Sequence, residues 1–331
     1  LSSTGGLSAT GGLSSTGGAS TSGGLSTTGG VSTSGGVTDT GGVSSTGGAL
    51  PDDPAYRKPR VIASTDGEVD DRSSFVRFLM YASDYDVVGI VQNNSKFQKD
   101  GHSREGWVEE EIDLYEEALP NLRVHDPDYP DADELRSVLR VGNEERDDLF
   151  VAPPDMQTRA TPGSDLMIAE LLSDDPRPLH VATWGGSNTL AWALYQLQQE
   201  QPERLAEVVS KLWVYCIWYQ DDGGQWIEDN VPGVNIYEAY RWDDVWDYQS
   251  LSGPSPDYVK EYMTEGWLNE NVKRNHGALG AYTPQEYVSE GDTPSFLPHI
   301  DNGLFQHVNY TWGGWGGRPA FTSGTSGHMT D

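Results

Sequence analysis

The chain has 331 residues, 51 acidic against 21 basic side chains, a net charge of −30 and a single cysteine. That charge excludes partners with an anionic face, nucleic acid and anionic membranes above all. One cysteine excludes both an internal disulfide framework and a thiolate zinc site, and no apolar run approaches membrane-spanning length.

Residues 1–48 are hexapeptides of the form apolar-Ser/Thr-x-x-Gly-Gly, from Leu1–Gly6 to Val43–Gly48, with Asp39 as their one charge. The composition reads as a flexible linker, open to glycosylation on its hydroxyls. The strict period also admits an ordered stalk or an element for self-assembly. A globular domain over 49–319 follows, and residues 320–331 read as a frayed tail.

From Arg60 onward, short apolar runs alternate with helical patterns. The predicted strands are Val61–Ala63, Asp86–Gln92, Leu122–His125, Leu179–Thr183 and Leu212–Tyr219. The predicted helices are Ser74–Ser83, Arg104–Ala118, Ser164–Leu172, Asn188–Gln199 and Arg204–Lys211. This alternation predicts an α/β fold, a mostly parallel sheet with helices on both faces. In such sheets ligands bind beyond the carboxyl ends of the strands.

The strongest chemical signal lies at the end of the first strand. Asp66, Glu68, Asp70 and Asp71 fall within six residues, where their mutual repulsion calls for a positive charge among them. A hard cation with oxygen ligands, calcium above all, meets that need, and a further carboxylate can act as general base toward a water on it. The alternative is an acidic loop ending in a helix cap.

Later segments fall at predicted strand ends too. In Leu179–Ala191 a strand runs into Gly185–Gly186, where the Trp184 carbonyl is a candidate cation ligand or simply part of a strand-to-helix turn. Asn230 and Asn235, in Asp221–Tyr237, suit sugar hydroxyls or ordinary turns. Asp292, with Asp301 as its competitor, is a loop acid able to return to the cation. Cys216 lies in the apolar Leu212–Tyr219 and reads as a buried structural thiol. The 11 Trp and 16 Tyr exceed what a core of this size needs. Trp213, Trp218, Trp226, Trp242, Trp246, Trp312 and Trp315 are candidate platforms for pyranose rings, two or three of them facing a sugar.

Together these segments resemble the nucleoside hydrolase superfamily, and most closely its extracellular branch of cellulose-binding, nucleoside hydrolase-like domains. Ser64-Thr-Asp-Gly-Glu-Val-Asp-Asp71 is similar to the family's Asp-x-Asp-Pro-Gly-x-Asp-Asp signature. The resemblance implies Asp66 as calcium ligand and catalytic base, Asp70 as a sugar-hydroxyl contact and Asp71 as a bridging calcium ligand. It further implies Trp184 and Asp292 as calcium ligands, and Asn93 or Asn94, Asn230 and Asn235 as substrate contacts. Ser64 and Glu68 depart from the signature, and Gly291 stands where some nucleoside hydrolases carry a histidine acid.

The function so implied is extracellular or cell-surface and carbohydrate-directed: a calcium-dependent glycoside or N-glycoside hydrolase acting on a plant or microbial saccharide. The alternatives are a non-catalytic module that binds cellulose or another polysaccharide, and a surface filament component assembled through residues 1–48.

Overall fold

Eight strands line up in the order β3-β2-β1-β4-β5-β6-β8-β7 in the computed structural model. The structure describes residues 52–242, 262, 264–284, 290–324 and 327–331. The expectations for residues 1–48 and for Trp246 lie outside the described residues.

The strands are β1 (Arg60–Thr65), β2 (Asp86–Gln92), β3 (Leu139–Val141), β4 (Leu179–Thr183), β5 (Leu212–Ile217), β6 (Asn235–Ala239), β7 (Ala320–Phe321) and β8 (His328–Thr330). All neighbours pair in parallel except β7 with β8. The helices are α1 (Val69–Met80), α2 (Trp107–His125), α3 (Ala132–Ser137), α4 (Pro162–Leu171), α5 (Asn188–Glu200), α6 (Leu205–Lys211) and α7 (Gly223–Asn230), followed by two short ones, Glu265–Leu268 and Gly277–Tyr282.

The core forms because the central strands are apolar on both faces, as a parallel sheet covered by helices requires. Successive side chains of a strand point to opposite faces. Val61 and Ala63 therefore join the cluster of Phe75, Phe78, Trp107 and Tyr115 from α1 and α2. Ile62 joins Met167, Leu190, Leu194 and Val208 from α4, α5 and α6 on the other side. Cys216 is buried in that second cluster, and desolvation pushes its thiol up to about 12.

Two expectations are corrected. Leu122–His125, predicted as a strand, is the last turn of α2; the helical face that buries Ile112, Tyr115 and Leu119 extends past Pro120 and overrides the local β preference. The strand of that region is instead the three-residue β3, too short to carry a periodic signal. Residues 320–331 are not a free tail, since β8 pairs with β6 through Ile236–His328 and Tyr237–Met329, and Met329 is fully buried.

Candidate functional site: an acid cluster at the end of β1

The first strand delivers the chain to Asp66, and Gly67 then turns it with φ of +79°. That left-handed conformation is open to glycine at little cost, and a Cβ here would come within 2.8 Å of His102 and 2.9 Å of Trp107. Helix α1 starts at Val69, earlier than the apolar pattern suggests, so Asp70 and Asp71 occupy its first turn. The positive end of the helix dipole favours carboxylates there.

Asp71 organises the turn. Its Oδ1 accepts from Thr65 Oγ1, from the Asp66 amide at 3.1 Å and from the Gly67 amide at 3.3 Å. Asp292 arrives from the far end of the chain and is pinned to α1 by its own amide, which donates to Ser74 Oγ at 3.1 Å. Carboxylate oxygens of Asp66, Glu68 and Asp71 come within 4.8 Å of one another, and so do those of Asp70, Asp71 and Asp292. The two groups share Asp71.

Asp66, Asp71 and Asp292 are buried, and both carboxyl oxygens of Asp66 and the Oδ2 of Asp292 have no hydrogen-bond partner. Burial, reinforced by the neighbouring carboxylates, holds Asp71 and Asp292 well above the ordinary aspartate value. Burial likewise raises Asp66; Asp71, Ser95 Oγ and nearby amides oppose that rise without completing a hydrogen bond to its carboxyl oxygens. Half-buried Glu68 is pushed up to about 8, first by desolvation and then by Asp66 and Asp70.

The neighbouring strand ends close around this group. A Cβ on Gly185 would sit 2.6 Å from Asp66 Cβ, so only glycine admits the β4 turn at that distance. Asn93 donates to Ser64 Oγ at 2.7 Å and to the Gly186 carbonyl at 2.8 Å, while its own buried Oδ1 stays unpaired. Asn94 turns its amide to the Lys99 carbonyl. Trp184 follows β4; its carbonyl accepts from Gln220 Nε2 at 2.5 Å and its ring packs on Phe75, Phe78 and Phe296.

Asn230 and Asn235 do not join the cluster. The segment after β5 contains helix α7, which carries the chain back across the sheet. Asn230 is exposed at the end of α7, and Asn235 opens β6 in register with Trp213, hence level with His180 of β4 and Val61 of β1. Both lie toward the amino-terminal edge, away from Asp66. The residues that β5 does present at its carboxyl end are Gln220 and the buried Asp221. Desolvation pushes Asp221 up to about 6, and it caps α5 through the Asn188 amide at 2.8 Å.

Sequence reasoning also missed His102. It lines a cavity of about 390 Å³ with Gly67, Val69, Arg72, Gln98 and Tyr282, held between Glu105 at 2.7 Å and Gln98 at 2.8 Å. A lone histidine in a loop carries no spacing signal, so only the fold places it beside the acid turn.

The mostly parallel sheet, covered by helices and carrying an acid turn at the end of β1, has a nucleoside hydrolase-like fold. Residues 60–318 match the family described as "Cellulose-binding Sde182, nucleoside hydrolase-like domain", and the chain belongs to that family. Among solved structures, the chain is similar to a nucleoside hydrolase-related protein from Saccharophagus degradans associated with carbohydrate metabolism. The TM-score is 0.69 and the identity 30%, covering 83% of this chain and 66% of that one, a little under two thirds of its length. A plant nucleoside hydrolase (TM-score 0.38, 11% identity, covering 75% of this chain and 80% of that one) and an inosine-guanosine nucleoside hydrolase (0.38, 13%, 74% and 80%) are more distant. No curated protein matches the chain.

Proposed function

We propose that this is an extracellular, carbohydrate-directed protein that binds calcium at the acid cluster and hydrolyses a glycosidic or N-glycosidic bond in a plant or microbial saccharide. The observation that carries the reading is the buried Asp66, whose two carboxyl oxygens have no partner beside Asp71. A buried carboxylate without a partner is costly. The donors gathered around it are oxygens alone, which fits a hard divalent cation and not a zinc-type ion.

Asp66, Asp71 and Asp292 would hold the ion, with the Trp184 carbonyl as a further oxygen. When bound, such an ion makes a coordinated water more acidic. Asp66 would then serve as the base for that water's proton, Asp70 would accept from a sugar hydroxyl, and the unpaired Oδ1 of Asn93 offers a second acceptor. The cavity beside Gly67 is lined by Val69, Arg72, Gln98 and His102 and not by the acids themselves, so the substrate would reach them past Gly67.

Calorimetric titration with calcium tests the site, and turnover on a panel of glycosides and nucleosides tests the chemistry. Asp66→Asn should lower calcium affinity at least about tenfold, a loss of about 1.4 kcal/mol, and abolish turnover. Unchanged turnover would remove Asp66 from the mechanism. The family's cellulose-binding description favours a second reading, a binding module without catalysis. Adsorption to insoluble cellulose with no turnover on any substrate selects that reading.

A further inference from the structure

A second cleft opens at the opposite end of β1. It has a volume of about 300 Å³ and lies where Pro59 leads into β1 and Ser83 and Asp84 lead into β2. Six residues of strand, about 20 Å, separate it from Asp66. Tyr56 and Phe305 form its aromatic wall, ring centroids 5.4 Å apart, and Tyr56 continues to Trp312 at 6.3 Å, with Trp312 45% exposed. Phe305 is held at φ of +52°, a left-handed conformation costly for a bulky side chain. The strain is sustained because the following segment is fixed from below: buried Gln306 donates to the Gly317 carbonyl at 2.8 Å and accepts from the Gly316 amide at 3.0 Å.

The cleft also carries buried polar groups without partners. His299 is 1% exposed with both ring nitrogens unpaired, and His307 is 7% exposed with Nε2 unpaired; both line the cleft. Asp84, Asp126, Asp128 and Asp301 supply acceptors around them, and Arg57 and Lys58 supply donors in the same lining. These groups do not make a cation site. Among the described residues, three ligand atoms come within 4.8 Å of one another only in the two carboxylate groups at Asp66 and Asp292. Aromatic faces beside dispersed acceptors, two cationic donors and neutral imidazoles suit a ligand with apolar ring faces and many hydroxyls, and a lining that carries both signs of charge favours a neutral one.

We propose that this cleft, with the ridge Phe305–Tyr56–Trp312, is a second binding site for a neutral oligosaccharide, independent of the acid cluster. It rests on the carbohydrate-directed reading but not on the cation. The probe is cellohexaose, titrated into the full chain with chelator present and with binding mapped by hydrogen exchange. Protection is expected over residues 54–59 and 299–312. The Tyr56→Ala/Trp312→Ala double variant should lose at least about tenfold in affinity while binding calcium as the parent does, and Asp66→Asn should bind cellohexaose unchanged. Loss of cellohexaose binding on chelation, protection confined to residues 66–71 and 292, or no binding at all would overturn the proposal. Cellohexaose bound at 54–59 and 299–312 by a chain that takes up no calcium would sink the cluster reading and leave this one standing.

Discussion

Asp66 and Asp71 show how neighbouring residues of one type diverge through their contacts. Asp71 is spent on structure, taking three donors from the turn that precedes it, whereas Asp66 has none. Gly185 is the residue that permits this arrangement, because its missing Cβ leaves room for the Asp66 side chain. Gly185→Ala should therefore displace Asp66, costing about 1–3 kcal/mol of stability through overpacking and at least about tenfold in calcium affinity. Thermal unfolding and calcium calorimetry on the same sample check it; an unaltered calcium affinity would mean that Asp66 is not a ligand. At this scale the acid run was legible in sequence, because repulsion among close carboxylates is a local fact. That Asn230 and Asn235 lie away from the cluster was not legible, because their chemistry is generic and α7, which ends at Asn230 and precedes Asn235, carries no clear sequence signal.

Among the elements, β5 and α2 make opposite points. The apolar run of β5 is legible because a strand buried on both faces needs no alternation, and Cys216 lies where that run predicts. With its thiol pushed up to about 12, only about one part in ten thousand is thiolate at pH 8. The native protein should react with a thiol-exchange reagent at least about a thousandfold more slowly than the unfolded chain, read by absorbance with and without denaturant. Rapid reaction of the native protein would mean that β5 opens readily. In α2 the β-branched and apolar residues of the last turn misled, since tertiary packing along Ile112, Tyr115 and Leu119 decided for helix. Strands β3 and β8, three residues each, are made by their neighbours rather than by their own sequence.

For the molecule as a whole, two sets of buried groups oppose each other as pH changes. Asp66, Glu68, Asp71 and Asp292 are held above their ordinary values of 3.8 and 4.5. The folded state thus keeps protons that the unfolded chain gives up, so this stability is complete below those values and is lost as pH rises, for Glu68 through about 8. His180, His299 and His307 are held below 6.5, chiefly by burial. Arg60 and the companion imidazoles act the same way on His180, while Asp301 and the Ala55 backbone oppose the shift at His307. Their contribution is present above 6.5 and lost as pH falls, at up to about 1.4 kcal/mol per pH unit for each imidazole. Without calcium, Tm should pass through a maximum in mildly acidic solution. Protons and calcium compete for the same oxygens, so added calcium should raise Tm by several degrees at pH 8 and by far less at pH 5. Scanning calorimetry decides this; equal shifts at both pH values would remove the cluster as the calcium site.

The amino-acid sequence alone determined the features whose physics is local: a strong acidic excess, a single buried thiol, the alternation of buried strands with helices, and a run of carboxylates where the first strand stops. The tertiary structure alone decided which distant groups meet. A parallel sheet aligns the carboxyl ends of its strands, and a turn packed on α1 through Ser74 brings Asp292 to Asp71 there, yet one helix between β5 and β6 returns Asn235 to the amino ends. The same alignment leaves a second cleft at the amino ends, built from Tyr56 and residues near 305, whose separation along the chain hides it from any reading by period or spacing.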